Sequence, residues 1–172
     1  EGKGDMKNIL IIGGTRNMGY DLTLRLTEAG HRVTLLNRGM SRIELPESVH
    51  RLHADRGDQQ QMKRALLAKS FDVVVDFVLF NQRNAEAIVE LLTDKVDHYI
   101  MISSGQVYLI REGIERPYRE TDYAGRLQPS PKPNTFAYEE WRYGMGKREA
   151  EDVLFNAHAE SGFPATTLRL PM

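Results

Sequence analysis

The sequence predicts an α/β fold in which a doubly wound parallel sheet carries helices on both faces. Short apolar runs alternate with stretches of helical periodicity, the arrangement that parallel strands joined by crossover helices require. One run, FDVVVDFVLF at residues 71–80, is apolar almost without a break, as a strand buried on both faces should be. A cluster of glycines directly follows the first run.

Each element follows from its own pattern. Residues 8–12, NILII, form the first strand. Met18, Leu22, Leu26 and Ala29 then recur at helical spacing, and Gly30 stops that helix. A second strand at 32–36 comes at once, and HRLHA at 50–54 supplies a weaker third. Met62, Ala65 and Leu66 mark a helix before the fourth strand at 71–80, and Ala85, Ile88, Val89 and Leu92 mark one after it. HYIMISS at 98–104 is the fifth strand and ATTLRLP at 165–171 the sixth. Between these two lie a loop with Pro117, Pro129, Pro131 and Pro133 and a long helix over 139–161.

Composition narrows the function. A chain of 172 residues with 41% hydrophobic content suits one domain with its own core. Lys plus Arg number 23 against 24 Asp plus Glu, so no bulk charge draws it to nucleic acid or to an anionic membrane. No apolar stretch approaches the roughly 18 residues of a membrane span. The absence of cysteine excludes disulfides and thiolate metal sites and suits a reducing cytoplasm. His31, His50, His53, His98 and His158 show no paired metal spacing, so no metal is expected. Residues 1–5, EGKGD, read as an expression scar.

The glycine turn is the first chemical signal. A strand, a tight turn and a helix start bring backbone N–H groups and the helix dipole toward an anion, and Gly13, Gly14 and Gly19, with Thr15, Arg16 and Met18 between them, supply that turn. Arg16 stands where a middle glycine would complete G-x-x-G-x-x-G. The second signal is Tyr143 and Lys147, four apart and therefore on one face of the long helix. Ser104 precedes them at the end of the fifth strand, in SSGQVY.

With these motifs in place, the chain resembles the extended short-chain dehydrogenase/reductase superfamily, the NAD(P)-dependent epimerases, dehydratases and reductases. The stretch GGTRNMG is similar to the variant turn of an atypical branch with chloroplast RNA-associated members. The resemblance implies an NAD(P)-binding Rossmann domain over 6–172, with a serine, tyrosine and lysine triad at Ser104, Tyr143 and Lys147. Asn37 and Arg38 occupy the end of the second strand, where folds that take NAD usually carry a carboxylate. Arg16 and Arg38 can instead flank a 2′-phosphate, so NADP(H) is expected over NAD(H). Asp55 and Arg56 match the adenine-edge position of the family, and Phe77, Val78 and Leu79 the backbone that lines the cofactor. Glu120, in PYRE, resembles a recurrent loop element, and LRLP at 168–171 the segment leading to the nicotinamide pocket.

The chemistry implied is proton and hydride exchange. A phenol with a pKa near 10 is a poor base at neutral pH, and the Lys147 ammonium is expected to lower that value. Tyr143 would then exchange a proton with a substrate hydroxyl or carbonyl held by Ser104, while Lys147 also binds the nicotinamide ribose. The SGQ at 104–106 lacks the acidic pair of dehydratase members, which leaves epimerisation or carbonyl reduction of a small molecule, a nucleotide sugar being one candidate. The alternative is a cofactor-binding regulator or RNA-associated protein on the same fold without turnover. Trp141 and Met145 are candidates to shape a substrate pocket. The resemblance also implies a homodimer, through a four-helix bundle of the helices near 84–92 and 139–161, and a C-terminal substrate domain beyond residue 172.

Overall fold

The computed structural model describes residues 5–41 and 43–171; residues 1–4 of the expected scar lie outside them. Six strands form one parallel sheet: β1 Asn8–Ile12, β2 Arg32–Asn37, β3 His50–His53, β4 Phe71–Asp76, β5 Val96–Ser104 and β6 Ala165–Leu170. Their spatial order is β3-β2-β1-β4-β5-β6. The chain winds outward from β1 to β3, then returns to β4 and winds the other way. The crevice above the β1 and β4 carboxyl ends is therefore the topological switch point, where ligands of open α/β sheets bind.

Five helices cover the sheet: α1 Asn17–Glu28, α2 Gln59–Leu66, α3 Gln82–Leu92, α4 Gln106–Leu109 and α5 Phe136–Ser161. Strand alternation splits β1 between two cores. Ile9 and Ile11 join Val33 and Leu35 under Leu22 and Leu26 of α1, whereas Leu10 and Ile12 join Met62, Leu66, Ile88, Leu92 and Leu154 under α2, α3 and α5. Each such side chain contributes about 1.5–3 kcal/mol by leaving water.

The departures from expectation have physical causes. In α1 the expected stripe is displaced: Gly19 and Thr23 are buried, while Met18 and Ala29 are exposed. Gly19 packs onto Gly14 so closely that a Cβ would lie 2.7 Å from the Gly14 Cα, which fixes that rotation, and the buried Thr23 hydroxyl is satisfied within the helix by the Gly19 carbonyl at 2.7 Å. Strand β4 ends at Asp76 rather than residue 80, because the Asp76 Oδ1 accepts the Val78 N–H at 2.9 Å and turns the chain out of the sheet. Helix α5 starts three residues early, at Phe136, capped by the Thr135 hydroxyl accepting from the Tyr138 N–H. At Gly146 a Cβ would lie 2.3 Å from the Phe80 carbonyl oxygen, so only glycine lets α5 press against the loop after β4. That contact sets the position of Lys147.

Candidate active site

The switch point holds a cleft of about 600 Å³, lined by Gly13, Thr15, Arg16, Met18 and Gly19 from the first turn. Asn37 and Arg38 after β2, Asp55 and Arg56 after β3, and Phe77, Val78 and Phe80 after β4 complete it. The turn is built for close approach. Gly13 has φ +86°, and a Cβ there would sit 2.6 Å from the Val78 side chain. Asn17, the first residue of α1, also has positive φ (47°), a conformation asparagine tolerates better than most.

The sequence-expected residues of this end fall mostly at the cleft. Arg16 and Arg38 are exposed at its lip, and neither makes an ion pair among the described residues. Asn37 uses its Oδ1 to accept the Gly39 N–H at 2.6 Å. Asp55 accepts the Gly57 N–H at 2.8 Å. Leu79 differs: its side chain is fully buried in the core, and Phe80, 44% exposed, lines the cleft beyond Val78. Arg56 turns inward. Its Nη1 stands 2.5 Å from Asp76 Oδ2 as an ion pair out of line for a hydrogen bond, and its Nε and Nη2 have no partner among the described residues.

At the other end, β5 delivers Ser104 and α5 delivers Tyr143 and Lys147. Phe80 ties them to the cleft: its ring centroid is 6.2 Å from that of Tyr143 and 4.7 Å from the Lys147 Nζ. Ser104 is 7% exposed and its Oγ accepts the Gln106 N–H at 3.2 Å. Lys147 is 1% exposed and donates to the Ile102 carbonyl at 2.8 Å. Burial pulls its pKa down to about 8, reinforced by Arg56 and opposed by Asp76 and Glu151.

The expected tuning of the phenol is corrected here. Tyr143 lies above the ordinary tyrosine range, chiefly because burial disfavours its phenolate; the Ser104 hydroxyl works the other way and Glu140 adds to the rise. Lys147 does not lower it in this arrangement, because its Nζ is committed to Ile102 and stands 5.9 Å from the Tyr143 ring centroid. Of the two readings open for Trp141, a substrate pocket or core and loop packing, the contacts favour the second: its indole N–H donates to the Gln128 carbonyl at 3.0 Å and its ring stacks on Tyr138, so it anchors a loop. Met145 is half-buried.

Several buried charges around the site escaped the sequence reading. Asp76, fully buried, also accepts from the Tyr99 hydroxyl at 2.6 Å. Glu151, fully buried on α5, accepts from Ser103 at 2.5 Å and from Arg169, whose Nη2 lies 2.7 Å away. Arg169 reaches on to Glu120 and Tyr108, so Glu120 is an ion-pair partner at the loop. The only signal was a carboxylate inside apolar VVVDF, which must be paired to be buried. Among the described residues no group of three or more metal-ligating side chains occurs, and no helix is long and apolar enough to cross a membrane.

Strand order, glycine turn and the Ser104, Tyr143 and Lys147 set together define a dinucleotide-binding α/β protein of the epimerase and reductase kind. A family model described as the NAD dependent epimerase/dehydratase family matches residues 9–172, and the chain belongs to that family. It is 40% identical over 118 residues to the chloroplast stem-loop binding protein of 41 kDa b of Arabidopsis thaliana, covering 60% of this chain and 30% of the relative. It is 25% identical over 166 residues to the 2′-dehydrokanamycin reductase of Streptomyces kanamyceticus, covering 96% of this chain and 43% of that one. The chain thus spans less than half of either curated relative. Among solved structures, the Bordetella bronchiseptica enzyme WbmG, in complex with NAD and UDP, superposes with a TM-score of 0.75 at 16% identity, over 97% of this chain and 54% of that one. That likeness speaks for the fold.

Proposed function

We propose that the chain binds NADP(H) in the switch-point cleft and serves hydride transfer to or from a hydroxyl or keto carbon of a small molecule, a nucleotide sugar being the class to test first. The observation that carries this is the Gly13 cradle of the switch-point cleft, which a Cβ would fill, together with Phe80, which lines that cleft and packs against Tyr143 and Lys147 of α5. A cleft of about 600 Å³ also suits a dinucleotide. A bound nicotinamide supplies the hydride donor or acceptor.

The residues supply the rest. Ser104 holds the substrate oxygen, and Tyr143 moves the proton at that oxygen. A phenol of ordinary pKa is protonated at neutral pH, and partial burial of Tyr143 pushes further the same way, so the unliganded site can donate a proton, which suits carbonyl reduction. Lys147 spends one N–H on Ile102 and keeps two for the ribose hydroxyls. Arg16 and Arg38, exposed at the lip, support the 2′-phosphate reading. A homodimer through α3 and α5 and a cytoplasmic location belong to the same proposal. The stem-loop binding name of the Arabidopsis relative supports an RNA role less well, since a net charge of −1 offers no bulk attraction to phosphate.

Titration of the chain with NADPH and NADH, followed by nicotinamide fluorescence, is the direct test. Saturable binding with NADPH the tighter is expected. Absence of binding by either, together with salt-sensitive RNA retention on a filter, would overturn the proposal in favour of the RNA role.

A further inference from the structure

The Arg56–Asp76 pair is a buried charge pair that the proton chemistry of the site does not use, yet it lies between the two ends of the cleft. Arg56 belongs to the lip at the adenosine end, but its side chain is 10% exposed and runs to Asp76 at the carboxyl end of β4. Asp76 is fully buried and is held from three sides, by Arg56, the Tyr99 hydroxyl and the Val78 N–H. In the sheet, Asp76 stands opposite Met101 of β5, whose next residue, Ile102, carries the carbonyl that receives Lys147 Nζ. A carboxylate locked on one strand thus neighbours an ammonium locked on the next.

We propose that Arg56 and Asp76 act as positioning residues that set the charge of Lys147, Asp76 by holding the ammonium and Arg56 by limiting that hold. The inference rests on the reading of Lys147 as the ribose partner. The charged and titratable groups facing Lys147 are Asp76 from β4, Arg56 from the loop after β3, and Glu151 and Tyr143 from α5. Glu151 is already committed to Arg169 and Ser103, which leaves the Arg56–Asp76 pair as the adjustable source of field. Burial alone pulls an ammonium down, and Asp76 opposes this more strongly than Arg56 reinforces it. Arg56 is itself among the residues lining the cleft, and its buried guanidinium nitrogens have no hydrogen-bond partner among the described residues. Any ligand that draws Arg56 away from Asp76 therefore strengthens the hold on the Lys147 proton, and occupancy of the adenosine end is felt at the catalytic lysine.

The test reads Lys147 directly in the unliganded protein. Lysine labelled with carbon-13 at Cε is followed by NMR from pH 6 to 11, and the Lys147 resonance is assigned by its loss in Lys147→Arg. Arg56→Met should move the Lys147 midpoint up, and Asp76→Asn should move it down, each by about half a pH unit or more. Should Arg56→Met fail to fold, Arg56→Met combined with Asp76→Asn still decides, since its midpoint should lie above that of Asp76→Asn alone. Midpoints that stay in place, or that move in the same direction in the two single variants, would overturn the proposal. Because no nucleotide is present, this outcome is separate from the NADPH titration, whose failure would instead remove the reading of Lys147 as a ribose partner.

Discussion

The two ends of the cleft are made in different ways. The adenosine end is backbone: a glycine with positive φ, a helix start, and side chains such as Arg16 and Arg38 that stand in solvent. The end at β5 and α5 is buried charge, with Lys147, Asp76, Glu151 and Arg169 fixed in a cage of long-range contacts. On the proposed reading, the first end would select its ligand by shape and by exposed charge. The second needs the folded core to hold groups that would not otherwise lose water.

Perturbations should separate the two ends, and the largest effect belongs to chemistry. Tyr143→Phe removes only the hydroxyl, so turnover on an identified substrate should fall about 10²- to 10⁴-fold with NADPH affinity unchanged; wild-type turnover would break the division of labour. Next comes the cage. Glu151→Ala leaves Arg169 with the exposed Glu120 as its remaining ion-pair partner, and the protein should lose about 3–5 kcal/mol in urea unfolding, whereas Arg38→Ala should lose nothing measurable.

Lys147 offers a sharper reading. Its folded pKa, about 8, lies below the unfolded value near 10.5, so the unfolded chain binds more protons between these limits. Stability should therefore rise with pH across that window, by at most about 3 kcal/mol, and the rise should vanish in Lys147→Met. A variant with the wild-type slope would remove Lys147 as its source. The smallest change is expected at the open end. Arg38→Ala should weaken NADPH about tenfold, the loss of one charge-assisted bond of about 1.5–3 kcal/mol, and leave NADH alone, as measured by fluorescence titration.

The same division decides what was legible in the sequence. Gly13, Gly14 and Gly19 announce themselves because a tight strand-to-helix turn needs glycine locally, and Tyr143 and Lys147 because one helical turn fixes their spacing. The alternation of strands and helices, and hence a parallel sheet, followed from the alternation of apolar runs. The cage was not legible: Arg56 meets Asp76 across 20 residues, Ser103 meets Glu151 across 48, and no period links them. The expected lowering of the Tyr143 pKa missed for a related reason. Sequence spacing shows that Lys147 shares a face with Tyr143, but not that the Ile102 carbonyl competes for its ammonium. The end of β4 was misjudged because a single carboxylate, Asp76, redirects a run that hydrophobicity alone would continue to Phe80.

The glove around the Lys147 ammonium has a consequence for directed evolution. A library screened only for survival on heating rewards whatever removes a cation from an apolar enclosure, so replacements of Lys147 by uncharged residues should be among its early winners near neutral pH. Such winners would keep the Gly13 turn but lose the N–H groups proposed to hold the ribose, so they should bind nucleotide more weakly. Anyone breeding this scaffold for robustness therefore has to include a nucleotide-binding or catalytic readout in every round, because heat resistance alone would not reveal that Lys147 had been bred out.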